Sequence, residues 1–183
     1  MDGHHLVLGE LIDYITGETL KDTHDERYRQ KLARLLMDEK GYSKSEITPR
    51  VGLLARAGEK CAMISIDFQV SHGDRIGMII RYGPGSLVTR RRPALSASRL
   101  VVSYQVPVVV VTNGESAEIL HGASGHVEAT GLDAIPSPWE LARWIRSVSF
   151  APISKHRVEM ESRILYAYDV DDSCPCDDTI CRL

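Results

Sequence analysis

Residues 61–82, "CAMISIDFQVSHGDRIGMIIRY", decide how the chain folds. Cys61–Val70 is rich in Ile, Val and Phe, which suit a pleated sheet. His72-Gly73-Asp74-Arg75 then reads as a hairpin turn and 76–82 as a second strand. Upstream, "SEITPRVGLLA" predicts a strand near 47–55 with a turn at Gly58, so three strands run in succession. Asp67 interrupts the middle one. An acid in an otherwise apolar strand is costly unless it faces water or a partner, so Asp67 either sits on a wet face or lines a site.

The three strands follow a helix. In "THDERYRQKLARLLMDEKGY", Thr23 and Glu26 have capping-box spacing, Tyr28, Leu32, Leu35 and Leu36 form an apolar stripe, and Gly41 supplies a stop. The spacing predicts a helix over 24–40. "HLVLGELIDYITGETL" before it reads as a short strand or arm. Beyond the third strand, "ALSASRLVVSYQ" has helical spacing, with Pro93 at the helix start. "VPVVVVTNG" reads as a central strand buried on both faces, and "SAEILHGASGHVEAT" as a hairpin turning near Gly122–Gly125. Helices are expected at 138–148 and 154–166. The order α-β-β-β-α-β implies an α/β mixed sheet flanked by helices. The chain divides into an arm at 1–23, a core at 24–135, C-terminal helices at 136–170 that pack on it, and a cysteine-rich tail at 171–183.

Composition narrows the function classes. With 183 residues, 43% hydrophobic content and a net charge of −3, the chain describes a globular protein that is not globally basic, so any nucleic-acid contact must come from a local patch. There is no basic leader and no run of ~18 apolar residues, so a cytoplasmic location and no membrane contact are expected. The seven histidines show no metalloenzyme spacing. Cys174, Cys176 and Cys181 have the spacing C-x-C-x4-C, which is not a disulfide framework. With Cys61 or a histidine they could make a Zn²⁺ or Fe–S site; the alternative is a plain tail.

Three stretches together, "DYITGETLKDTHDERYRQKLARLLMDEKGYSKSEITPRVGL", "ISIDFQV" and "VVVVTNGESAEIL", resemble the N-terminal domain of the restriction subunit of type I restriction-modification enzymes. That family is a branch of the PD-(D/E)xK nuclease superfamily, and the resemblance covers roughly residues 11–122. It implies a restriction-endonuclease-like α-β-β-β-α-β core. It also implies a Mg²⁺ site built from a helix acid, a strand Asp and a Glu-x-Lys on the third strand. Glu26 matches the helix acid and Asp67 the strand acid, as residual catalytic carboxylates with Asp67 as the Mg²⁺ ligand. The third strand reads "MIIRY", so Ile79 or Ile80 stands at the glutamate and Arg81 or Tyr82 at the lysine. From Arg75 to Gly114 there is no Asp or Glu to replace it. Hydrolysis of a phosphodiester needs hard oxygen ligands for the ion, and the sequence removes one.

The same region gathers arginines around Gly83-Pro84-Gly85. Guanidiniums bind phosphate bidentately, and amides freed by glycine do likewise. The expected anion site comprises Arg81, Tyr82, Gly83, Gly85, Ser86, Arg90, Arg91, Arg92 and Arg99. The bland alternative is a solvated loop or a set of ion-pair partners. The sequence therefore points to a catalytically degenerate nuclease fold that binds a nucleic-acid backbone. Two alternatives stand beside it. One is an active Mg²⁺-dependent endonuclease that borrows a carboxylate from Glu10, Glu18, Glu59 or Glu115; the other is a non-enzymatic homodimeric interaction module.

Overall fold

The computed structural model describes residues 7–171 and 181–182. A hairpin of β1 (Gly9–Ile12) and β2 (Thr19–Asp22) leads into α1 (His24–Arg34), which continues as a π-helical turn over Leu35–Glu39. Three antiparallel strands follow: β3 (Ile47–Ala57), β4 (Lys60–His72) and β5 (Arg75–Tyr82). Helix α2 (Leu87–Ser98) crosses to β6 (Val108–Thr112), which pairs with β5 in parallel. The hairpin of β7 (Ala117–His121) and β8 (Val127–Thr130) extends the sheet, and α3 (Pro138–Arg146) and α4 (Lys155–Tyr166) complete the fold. The strand order is β3-β4-β5-β6-β7-β8, with β9 (Cys181–Arg182) on β4. The expected α-β-β-β-α-β order and mixed sheet are present as α1-β3-β4-β5-α2-β6.

The sheet separates two cores because side chains of a strand alternate between faces. Met78, Ile80, Val108 and Val110 pack with Leu32 and Leu36 of the α1 segment and Leu141 of α3. Ile79, Val109 and Val111 face Ala94 and Ala97 of α2 and Leu165 of α4. All five residues of β6 are buried, as a strand covered on both faces requires.

One expected boundary is corrected. Helix α2 starts at Leu87, not after Pro93, and ends at Ser98, so Arg90, Arg91 and Arg92 lie on a helix instead of a loop. Pro93 is the seventh helical residue, where its missing N–H removes one intrahelical bond. The fully buried Ala94, Ser96, Ala97 and Ser98 hold the helix on the sheet regardless. Of the tail cysteines, Cys174 and Cys176 lie outside the described residues, and Cys181 is described only through the pairing of its backbone with Met63.

Candidate functional site

Asp67 sits where β4 changes partners. The first half of β4 borders β9 at Ala62–Met63, and its second half pairs with β5 from Phe68 onward. Ile64 and Ile66 belong to the α2/α4 core, whereas Phe68 and Val70 belong to the α1/α3 core. Past the Phe68–Ile80 pair, the Tyr82 amide donates to Asp67 Oδ2 at 2.7 Å. The other oxygen, Oδ1, accepts from Arg29 Nε at 2.5 Å. Asp67 is 5% exposed, and both of its oxygens are engaged.

Arg29 reaches it from α1, three residues after Glu26. Its Nη1 lies 3.6 Å from Glu26 Oε2, so one guanidinium serves both acids. It also lies over the Tyr82 ring at 5.5 Å. Burial alone would lower the pKa of Arg29, but Asp67, Glu26 and Asp25 outweigh it and hold the guanidinium above its usual value. Tyr82 stacks on Tyr28 with ring centroids 5.6 Å apart and donates its hydroxyl to Asp25 at 3.0 Å. Burial and the Asp25 charge push that hydroxyl well up from its usual pKa. The Thr112-Asn113-Gly114 turn closes against the pair: Gly114 has φ +86°, and a Cβ there would lie 2.2 Å from Tyr28 Cδ1.

Glu26 departs from its capping-box reading. Thr23 Oγ1 accepts from the Glu26 amide at 3.1 Å, but the Glu26 carboxylate turns inward and accepts from Gln30 Nε2 at 2.8 Å. Gln30 also donates to Asp13 Oδ2 at 2.9 Å. A second guanidinium, Arg50, pairs with Asp13 and lies 3.7 Å from Glu26 Oε1. Arg50 stands opposite Asp67 between the pairs Pro49–Phe68 and Val51–Ile66, and is the one non-glycine residue among those described with positive φ, +53°. A left-handed conformation costs an arginine about 1–2 kcal/mol, which the ion pairs of its side chain offset.

Sequence reasoning missed Asp13, Arg29, Gln30 and Arg50. The signal for Arg29 was its spacing of three from Glu26, which places both on one helix face. Asp13 folds as an Asx turn, Oδ1 accepting from the Ile15 and Thr16 amides at 2.9 and 2.7 Å. Glu10, Glu18, Glu59 and Glu115, the acids considered as substitutes, are all exposed, and the acid that joins Glu26 is Asp13.

The structure also selects the register on β5. Arg81 faces the α2/α4 side, where its Nη1 lies 2.7 Å from Asp169 Oδ2. Ile80 and Tyr82 face α1 with Asp67. In the register that the resemblance implies, fully buried Ile80 would stand at the glutamate position and Tyr82 at the lysine position. Magnesium does not fit this arrangement. Ile80 offers no oxygen, both Asp67 oxygens are engaged, and the Arg29 guanidinium already lies between Asp67 and Glu26. Among the described residues no three His, Cys, Asp or Glu side chains come together as a metal site.

A family model described as type I restriction enzyme R protein N terminus matches residues 24–136, more than half of the chain. The chain belongs to that family. No curated protein and no solved structure matches it. The match runs from the start of α1 to the residues just ahead of α3, and so encloses Glu26, Asp67 and Ile80.

The residues expected to bind an anion are dispersed within this R-protein domain. Arg91 makes a fork with Glu118 at 2.6 and 2.5 Å. Arg92 and Arg99 both pair with buried Glu161, at 2.7 and 2.9 Å, and Arg81 pairs with Asp169. Tyr82 is stacked beneath Arg29. Gly83, Gly85, Ser86 and Arg90 remain together at the start of α2. The Arg90 guanidinium lies against Gly83, and its hydrogen bond among the described residues goes to the Pro84 carbonyl, at 3.4 Å. Ser86 does not cap α2 with its side chain, and the first turn of that helix carries no acid.

Proposed function

We propose that the chain is a nuclease-fold module that binds the phosphate backbone of a nucleic acid and has lost metal-dependent hydrolysis. The observation that carries the loss of chemistry is the Arg29 guanidinium bound to Asp67 at 2.5 Å beside the buried aliphatic Ile80. A charge fixed by the chain stands where hydrolysis would need an exchangeable ion and its water.

Support for backbone contact comes from the family and from the turn between β5 and α2. There Gly83, Gly85, Ser86 and Arg90 present an uncapped helix start and a guanidinium that no carboxylate holds among the described residues. Helix N-termini favour phosphate through their free amides and dipole. The other arginines of the cluster stabilise the fold.

Anisotropy of a labelled duplex, titrated at several salt concentrations, tests the binding. The affinity should fall steeply with salt, and Arg90→Ala should reduce the salt slope by about one. No binding at low salt overturns the reading of the partner. Plasmid incubated with Mg²⁺ or Mn²⁺ should stay intact; nicking that disappears in Asp67→Ala overturns the reading of lost chemistry.

A further inference from the structure

The far end of α2 holds a second arrangement of guanidiniums. Glu161 of α4 is fully buried and is the shared partner of Arg92, Arg99 and Arg157. Oε2 lies 2.7 Å from Arg92 Nη1 and accepts from Ser96 Oγ at 2.7 Å; Oε1 lies 2.9 Å from Arg99 Nη1 and 2.7 Å from Arg157 Nε. Among the described residues, one carboxylate among three guanidiniums leaves two positive charges without a counter-charge. Arg99 registers the excess. Burial lowers its pKa most, Glu161 opposes that, and repulsion from Arg157 and Arg92 lowers it further, so the net shift is downward.

Arg99 is fixed: Nε donates to Gln105 Oε1 at 2.7 Å and Nη2 to the Gly122 carbonyl at 3.2 Å. Arg157 is not. Only its Nε meets Glu161, its two terminal amino groups have no partner among the described residues, and its side chain is 53% exposed. Arg99, Gln105, Ser154 and Arg157 line an open hollow of ≈ 510 Å³. The first turn of α4 adds Lys155 and His156, with no acid. Basic residues at a helix N-terminus oppose its dipole, and here Ser154 caps the Arg157 amide at 3.3 Å without adding a negative charge.

We propose that the hollow between the end of α2 and the start of α4 binds a phosphate group, held by the Arg157 fork over the fixed Arg99. Arg90 and Arg99 are nine residues apart along α2 and its C-cap, a rise of about 14 Å, so this site is separate from the one at Arg90 and does not rest on the nucleic-acid reading above. The shared chemistry is a phosphate oxyanion, either free or in a nucleic-acid backbone.

Calorimetric titration with inorganic phosphate, at ionic strength matched with chloride, tests it on the full chain. Phosphate should bind, and Arg157→Gln should weaken it about tenfold, as loss of one charged hydrogen-bonding group implies. Arg157→Lys should fall between the two, because it keeps the charge and loses the fork. Arg143→Gln, an arginine on α3, should change nothing. Circular dichroism of each variant should match the parent, since half-exposed Arg157 is not packed in the core. If phosphate displaces a labelled duplex from Arg90→Ala protein, the backbone is the source of the ligand; if it binds without displacing it, free phosphate is. No heat beyond that of chloride, or binding unchanged in Arg157→Gln, overturns the proposal.

Discussion

Replacing Arg29 by Ala removes the cation shared by Glu26 and Asp67. Uncovering one side of a buried ion pair costs roughly 3–5 kcal/mol, because the remaining charge stays out of water. Here the cost falls at the low end. Asp67 keeps the Tyr82 amide, Glu26 keeps Gln30 and Arg50, and the Arg29 side chain is 20% exposed, so water enters where the guanidinium was. The expected loss is about 3 kcal/mol, which for a domain of this size lowers Tm by roughly 6–12 °C. Urea denaturation followed by the fluorescence of Trp139 and Trp144 measures it. The cause is an unmatched anion, so Arg29→Ala with Asp67→Asn should recover most of the loss. Asp67→Asn alone leaves Arg29 with Glu26 at 3.6 Å and should cost less than Arg29→Ala. If Arg29→Ala loses less than about 1 kcal/mol, or if the double variant is as unstable as the sum of the singles, the two groups are not coupled as described.

Three further outcomes follow from the geometry. Gly114→Ala should cost at least about 2 kcal/mol by thermal denaturation, since the Cβ collides with the Tyr28 ring and the backbone is left-handed; an unchanged Tm would mean that Tyr28 moves freely. Arg91→Ala should cost under about 1 kcal/mol, as its pair with Glu118 is partly exposed, and should leave duplex affinity as it is, whereas Arg90→Ala weakens it; equal effects from the two would argue for a diffuse charge effect. Burial would raise the pKa of Asp13, but the Thr16 amide, Gln30, Arg50 and the Ile15 amide outweigh it, and Glu161 is likewise held low by Arg92, Ser96 and Arg99 against its burial. Both groups therefore contribute stability that is present above the ordinary carboxylate pKa of about 4 and lost as pH falls through their lower folded values. The urea midpoint should be level from pH 7 to about 5 and then decline, less steeply in Asp13→Asn; an equal decline in that variant would contradict the assignment.

The sheet was legible because its signals are local. Cys61–Val70 and Val108–Thr112 carry their β character in composition, and α1 carries its stripe and cap. Helix α2 was misread at its start because Pro93 has the preference of a first-turn residue, while burial of Ala94, Ala97 and Ser98 keeps it inside the helix. At the site, Glu26 and Asp67 were legible as acids on a helix and a strand, where α1 and β4 carry them, and the lack of an acid in "MIIRY" was plain. Their partners were not. Arg29 and Asp67 are 38 residues apart, Arg92 and Glu161 69, and no spacing rule reaches that far. Glu26 shows why a local rule failed: the Thr23 backbone competed for its carboxylate with Gln30 and Arg50, and the tertiary partners won.

The guanidinium between Glu26 and Asp67 also decides which substitutions this pocket accepts. An acid at position 80 alone would add an uncompensated anion beside buried Asp67, and removing Arg29 alone would leave Asp67 with the Tyr82 amide but no cation. Either change alone therefore costs stability before any ion could be held there, and only a paired change keeps the charges matched. Outer pairs such as Arg91–Glu118 carry no such coupling, so tolerance to substitution should rise from this pocket towards the surface.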